Sequence, residues 1–255
     1  MKSTVDRRNK IIQKIQSEGS VRVDELSEEF DVSTVTIRND LDFFEQKGLI
    51  DRTYGGALLR NNVYNDPSIE EKKKINAEEK KRIGEYAAGM ISDGESVILD
   101  SGSTTREIAL RIKDKKNITV MTNALNIGLE LAGASGGVEV MMTGGVLRDK
   151  SYSLVGPEAE RNMKHYYFDT LFLGVDGMDF EHGLTTSNPL EAQLNCVMVE
   201  RANRVIAVTD SSKFDRHSFS FICDLEPINM IITDDKISAE FEEKFKKRDI
   251  EVVKV

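Results

Sequence analysis

Residues 96–105 read Ser96-Val97-Ile98-Leu99-Asp100-Ser101-Gly102-Ser103-Thr104-Thr105, and the two halves of that stretch obey different rules. The first half is a short apolar run with the length and content of a strand buried on both faces. The second is a turn of glycine and hydroxyls at the head of a helical pattern over 104–113. A helix N-terminus leaves backbone N–H groups unpaired and carries the positive end of the helix dipole, so such a turn is a ready anion site. No Gly-Lys-Ser/Thr follows it and no GxGxxG is present, which excludes a P-loop and a dinucleotide fingerprint.

The unit of strand followed by polar turn recurs. Residues 118–122 (ITVMT), 138–142 (VEVMM), 170–174 (TLFLG), 204–208 (RVIAV) and 229–233 (NMIIT) are further strand candidates, and helical patterns lie at 126–132, 158–163 and 191–202. Strands alternating with helices predict an α/β domain with an open, mostly parallel sheet. Ligands of such sheets bind beyond the carboxyl ends of the strands. The candidate binding residues are therefore Asp100, Ser101, Gly102, Ser103, Thr104 and Thr105 after the first strand, Thr122 and Asn123 after the second, and Gly144 and Gly145 after the third. Asp176 and Lys213 follow the fourth and fifth, one suited to accept from hydroxyl groups and the other to pair with phosphate. Each alone reads as a turn residue, but they share one topological address.

Toward the N-terminus the pattern changes. Ile11, Ile12 and Ile15 recur at helical spacing, Leu26 and Phe30 mark a second short helix over 24–30, and Asp31-Val32-Ser33 makes a turn into a third helix over 34–46. Ser33 is its N-cap. Val35, Ile37, Leu41 and Phe44 are assigned to its core side, and Thr34, Thr36, Arg38 and Asn39 to the exposed first turns. Hydroxyls, an arginine and an amide on an exposed helix are the side chains that read base edges in the major groove. Residues 49–56 then read as a β-hairpin wing, with Arg52, Tyr54 and Gly55 at its phosphate-contacting edge. Arg7 and Arg8, in a locally basic start, join the DNA-binding set. The net charge of −9 neither supports nor excludes this, because a basic patch need only be local. The plan is thus a winged helix-turn-helix over 1–60, a polar linker and docking helix over 61–92, and an effector-binding α/β domain over 93–255. The runs EEKKK and EEKK in 61–81 read as a solvated connector.

Composition closes off other classes. No stretch approaches the 18 apolar residues of a membrane span, and MKSTVDRRNK lacks the apolar region of a signal peptide, so a cytoplasmic location is expected. Cys196 and Cys223 fit no metal or redox spacing and read as buried free thiols. His165, His182 and His217 match no metal motif, so neither a metal nor a catalytic residue is expected. Tyr166, Tyr167 and Phe168 read as packing. One enzymatic alternative stays open, since Asp176 and Asp179 with a downstream lysine suit an acid/base pair of an isomerase acting on sugar phosphates. A transcriptional activator is the other alternative.

The stretch from Arg7 to Leu59, with VSTVTIRNDL and then G-L-I-x-R-x-Y-G-G-A, resembles the winged helix-turn-helix of DeoR-family repressors. That family usually has a second arginine where this chain has Asn39. Residues 94–255 resemble the family's effector domain, related to ribose-5-phosphate isomerases, through ILDSGSTT, VMTNALNIG, MTGGVLR, SLVGPEAE, FLGVDG, GLTT and VTDSSKF. The resemblance implies a repressor of a sugar operon, with no cofactor, that binds double-stranded operator DNA as a dimer or tetramer and is released by a sugar phosphate. The phosphate would sit at Asp100 to Thr105, and Thr122, Asn123, Gly144, Gly145, Asp176 and Lys213 would complete the pocket. FDTLFLGVDGMDFEHGLTTSN and LEAQLN are similar to the subgroup serving N-acetylgalactosamine and amino-sugar catabolism, which implies N-acetylgalactosamine 6-phosphate or a related amino-sugar phosphate as effector.

Overall fold

A computed structural model describes residues 4–18, 20–46, 50–53, 55–59, 66–134 and 136–255. The chain divides into two compact units, Met1–Asn65 and Asp66–Val255. Of the expected linker, 61–65 lies outside the described residues, while everything from Asp66 onward belongs to the second unit.

The first unit runs α1 (Thr4–Glu18), β1 (Ser20–Arg22), α2 (Val23–Phe30), α3 (Thr34–Gln46), β2 (Ile50–Thr53) and β3 (Gly56–Leu59). The strands pair antiparallel in the order β1-β3-β2. Ile11 and Ile15 of α1, Leu26 of α2, and Ile37, Leu41 and Phe44 of α3 close one core. Val35, assigned to that core from sequence, is instead 61% exposed. At 3.6 residues per turn, positions 37, 41 and 44 share a stripe, and position 35 falls about 200° away from 37.

The second unit opens with α4 (Ile69–Lys74) and α5 (Ala77–Met90), followed by β4 (Ser96–Leu99), α6 (Ser103–Arg111), β5 (Thr119–Thr122), α7 (Leu125–Leu131) and β6 (Glu139–Met142). A hairpin of β7 (Val146–Leu147) and β8 (Leu154–Val155) leads into α8 (Pro157–Met163) and β9 (Phe168–Leu173). Then come β10 (Gly177–Asp179), β11 (Gly183–Thr186), α9 (Pro189–Glu200), β12 (Ala202–Val208), β13 (Ser220–Cys223), β14 (Met230–Thr233), α10 (Ala239–Lys246) and β15 (Glu251–Lys254). Among the described residues, seven parallel strands form one sheet in the order β15-β14-β12-β9-β4-β5-β6. The six strands expected from sequence are all in it; β15 is the addition. Strand side chains alternate between faces, and the alternation sorts two cores. Val97, Leu99, Phe172, Ile206 and Val208 pack with α5, α6 and α7, whereas Ile98, Leu171, Leu173, Val205 and Ala207 pack with α8, α9 and α10. A small antiparallel sheet, β10-β11-β13, stands apart from the large one.

The expected packing residues divide. Phe168 is buried, while Tyr166 and Tyr167 are exposed. Of the two free thiols, Cys223 is buried and Cys196 only half-buried. Burial pushes the Cys223 thiol up to about 12, so it is inert as a nucleophile at neutral pH. Among the described residues no helix is long and apolar enough to cross a membrane.

Candidate functional site

The strand order fixes where a ligand can enter the second unit. From β4 the chain steps outward through β5 to β6, then returns to the other side of β4 with β9 and steps outward again through β12 and β14. The reversal falls between β4 and β9, and in open sheets the crevice at such a switch point is the binding site. Asp100 spans it, its Oδ2 accepting the backbone N–H of Gly174 at 3.3 Å. The cavity there is lined by the turn 100–104, by Gly174, Val175 and Asp176 beyond β9, and by Thr209, Asp210 and Lys213 beyond β12. The helix α6 starts at this wall with Gly102 as N-cap, a residue that offers no side chain to cap the free N–H groups of the first turn.

The other wall comes from α4 and α5. Lys72 donates to Asp176 Oδ2 at 2.9 Å and lies 2.8 Å from Oδ1, with Lys213 at 4.0 Å. Thr186 Oγ1 (3.1 Å), Ser187 Oγ (2.8 Å) and Ser187 N–H (3.2 Å) also donate to Asp176 Oδ2. Burial alone would raise the Asp176 carboxyl, but Lys72 and Lys213 with the Ser187 donor hold it well below the usual carboxylate range. Burial likewise opposes the charge on Lys72, and the attraction of Asp176 more than restores it. Lys80 donates to the carbonyls of Lys72 (2.6 Å) and Ile75 (2.7 Å). Burial pushes its ammonium down to about 8, and the attraction of Asp210 is countered by Lys213 and Lys72. Asn76, at φ 51° between α4 and α5, donates to Asp210 Oδ1 at 2.7 Å and so fastens this corner over the strand ends.

On the floor, Asp100 is pushed well above the usual carboxylate range by burial and by the negative charge of Glu191. With its amide oriented to satisfy both ends, Asn195 donates to Asp100 Oδ1 at 3.1 Å. Glu191 accepts from Ser153 (2.6 Å) and pairs with Arg148 (2.5 Å). The cavity thus gathers a helix N-terminus, three lysines, and carboxyl and amide groups in one lining. That is the complement of an anionic group carried on a polyhydroxyl body.

Asp100, Ser101, Gly102, Ser103, Thr104, Asp176 and Lys213 line this cavity. The remaining sequence candidates do not. Thr105 is fully buried and donates to Asp100 O at 2.6 Å, holding the turn. Thr122 accepts from the Ala124 N–H at 3.0 Å. Asn123 is fully buried and supports Ser101 Oγ from 3.4 Å. Gly144 and Gly145 are exposed beyond β6, and Gly145 lies against Val155 of β8. Apart from Thr105, which lies in α6, these residues end or follow β5 and β6, on one side of the switch point, whereas the cavity gathers the ends of β4, β9 and β12. Conversely Lys72, Lys80, Glu191 and Asn195 were missed. The first two sit in charge runs that look like solvated surface, and the last two in a helix whose apolar residues run all round.

In the first unit α3 exposes Thr34, Arg38 and Asn39, with Thr36 half-buried beside them. Ser33 caps the helix by accepting the Thr36 N–H at 3.2 Å. Arg7 and Arg8 each donate at 2.7 Å to Asp40, which is 1% exposed on α3. They lock α1 to α3, because a buried carboxylate must be paired. Arg52 is likewise engaged, bonding Asp42 (2.5 Å) and the carbonyl of Arg38 (3.2 Å). Gly55 forms the exposed wing turn at φ 89°; Tyr54 lies outside the described residues.

A model of the DeoR-like helix-turn-helix domain matches residues 7–63, and one of the DeoR C terminal sensor domain matches residues 75–235. The chain belongs to the DeoR family. It is 46% identical over 254 residues to a putative aga operon transcriptional repressor from Escherichia coli O157:H7, covering 99% of this chain and 94% of that one. It is 36% identical over 248 residues to the HTH-type transcriptional regulator GlpR of Haloferax volcanii, covering 97% and 96%. Among solved structures, ribose 5-phosphate isomerase A from Methanocaldococcus jannaschii is similar over 55% of each chain, with 14% identity and a TM-score of 0.40. This DeoR-family chain is a DNA-binding transcriptional regulator. Asp179, the second acid of the isomerase alternative, is absent from the cavity wall and accepts the backbone N–H groups of Glu181 and His182.

Proposed function

We propose that this regulator represses a sugar or amino-sugar catabolic operon and leaves its double-stranded operator when a phosphorylated sugar fills the cavity of the second unit. The observation that carries the reading is the convergence of Lys72, Lys80 and Lys213 with the N-terminus of α6 at the switch point of the sheet. The phosphate belongs at Ser101 to Thr104, where N–H donors and hydroxyls face the lysines. The sugar body lies toward Asp176, Glu191 and Asn195. The name of the aga operon relative, together with the subgroup motifs, favours N-acetylgalactosamine 6-phosphate or a related amino-sugar phosphate.

Thr36, Arg38 and Asn39 read base edges, and Thr34 and the wing turn at Gly55 contact the backbone. Arg7, Arg8 and Arg52 act by holding α1, α3 and the wing together. Two such units are required for a symmetric operator, so the chain works as a dimer or tetramer in the cytoplasm. The effector favours a state whose recognition helices fit the operator poorly. The segment from α4 to α5 transmits this preference, since it follows the winged helix in the chain and supplies Lys72 and Lys80 to the cavity. A mobility-shift assay on operator DNA with a panel of sugar phosphates tests the proposal. One of them lowers operator affinity by about 5- to 150-fold; a panel that leaves retention unchanged overturns it.

A further inference from the structure

We propose that Asp179, His182 and His217 form a binding site for a single divalent transition-metal ion of the zinc class, separate from the effector cavity. The three residues come from two stretches of chain. Asp179 ends β10, His182 stands in the turn before β11, and His217 lies in the loop between Lys213 and β13. One ligand atom of each falls within 4.8 Å of the others. His182 Nδ1 is 3.1 Å and His217 Nδ1 3.8 Å from Asp179 Oδ2. Zinc bonds nitrogen and oxygen at about 2.0–2.2 Å, so tetrahedral ligands stand about 3.3 Å apart. The two separations from Asp179 bracket that value, and the two imidazole donors lie within 4.8 Å of each other.

The surroundings hold the donors in place. Asp179 Oδ1 accepts the backbone N–H groups of Glu181 (2.8 Å) and His182 (2.6 Å), which fixes the carboxylate and leaves Oδ2 toward both rings. Gly177 has no side chain, and a Cβ there would stand 2.9 Å from the Cα of His217 and 2.6 Å from Arg216 O. Only glycine therefore lets the 216–217 segment lie on β10. The Ser218 N–H donates to Thr185 Oγ1 at 2.8 Å, pinning the same loop to β11. The imidazoles stack with centroids 4.4 Å apart and are 45% and 44% exposed, against 13% for Asp179, so an ion reaches them from solvent. Two imidazoles and one carboxylate suit zinc-type ions rather than calcium or magnesium, and three protein ligands leave a fourth position for water. Such an ion staples together two loops that begin at the cavity residues Asp176 and Lys213.

The test is direct titration of the chelator-stripped, full-length chain with zinc, and separately with cobalt(II). Wild type takes up one equivalent, with the intense visible bands of four-coordinate cobalt. His182→Ala and His217→Ala, both at exposed positions, each lower affinity by more than about tenfold and remove those bands, whereas His165→Ala leaves both unchanged. Absence of binding at micromolar metal, or binding that survives in the His182→Ala/His217→Ala double variant, overturns the assignment.

Discussion

Replacing Lys72 by methionine removes the nearer of the two ammonium groups facing Asp176, and the cost follows from the geometry. Lys72 Nζ is 2.8 Å from the carboxylate while Lys213 is at 4.0 Å, and the Lys72 and Asp176 side chains expose only 21% and 13% of their area. Two unit charges about 4 Å apart interact by about 4 kcal/mol at an effective dielectric of about 20. Part of that returns, because Lys72 no longer has to be desolvated and the Thr186 and Ser187 donors remain. The net expected loss is about 2–3 kcal/mol, somewhat below the cost of breaking a buried pair outright. For a unit of this size that lowers Tm by roughly 4–12 °C. Urea unfolding of wild type, Lys72→Met, Asp176→Asn and the double variant, followed through the transition of the second unit, closes a double-mutant cycle with a coupling of about 1.5–3 kcal/mol. The pH dependence has a definite sign. A carboxyl whose folded value is depressed contributes stability above its unfolded value and loses it as pH falls through the folded one. Once Lys72 is gone the Asp176 carboxyl titrates higher, so the gap to wild type narrows as pH falls through that higher value. A coupling under about 0.5 kcal/mol, or a gap that widens in acid, would refute the electrostatic account of the pair.

Three further outcomes follow from the same coordinates. Arg38→Ala lowers operator affinity by about 1–3 kcal/mol and relaxes base preference, whereas Arg8→Ala leaves base preference intact and destabilises the first unit by about 1–2 kcal/mol through the loss of one donor to Asp40; binding-site selection and thermal unfolding separate the two, and a swap of these phenotypes contradicts the assignment. Thr104→Glu places a carboxylate where the phosphate belongs, so operator binding persists but the effector response disappears, and a normal response in gel shifts rules that placement out. A bound phosphate raises the Lys80 ammonium, which the free protein holds at about 8; the free protein thus loses this proton as pH rises through 8 while the complex keeps it, so calorimetry should find effector affinity falling about twofold from pH 7 to 8 and more steeply above, and a rise above pH 8 would mean that Lys80 does not face the anion.

What the sequence determined by itself was the local and the periodic. The head of α3 was readable because a helix cap, a 3.6-residue stripe and exposed polar positions are properties of neighbours along the chain. The strands were readable because runs buried on both faces must be apolar, and even the half-buried edge strand β6 keeps an apolar run. The turn Asp100–Thr104 followed from one strand running into one helix, and Asp176 and Lys213 followed from the rule that ligands sit beyond strand ends. The strand order was decided by tertiary structure, and with it which strand ends meet. Gly144 and Gly145 satisfy the same local rule as Asp176 yet follow β6, away from the switch point, and Asn123 reaches the cavity only through Ser101. Arg7 and Arg8 look like a basic patch until Asp40, more than thirty residues on, is packed against them. Lys72 and Lys80 have the local signature of solvated surface, and only the α4–α5 corner, folded over β9 and β12, turns them inward. His217 lies far along the chain from His182, and pairing of the small sheet brings their rings together. Spacing along a chain encodes what one helix or strand presents; which presentations share a cavity depends on contacts between segments remote in sequence, and those exist only once the chain has packed.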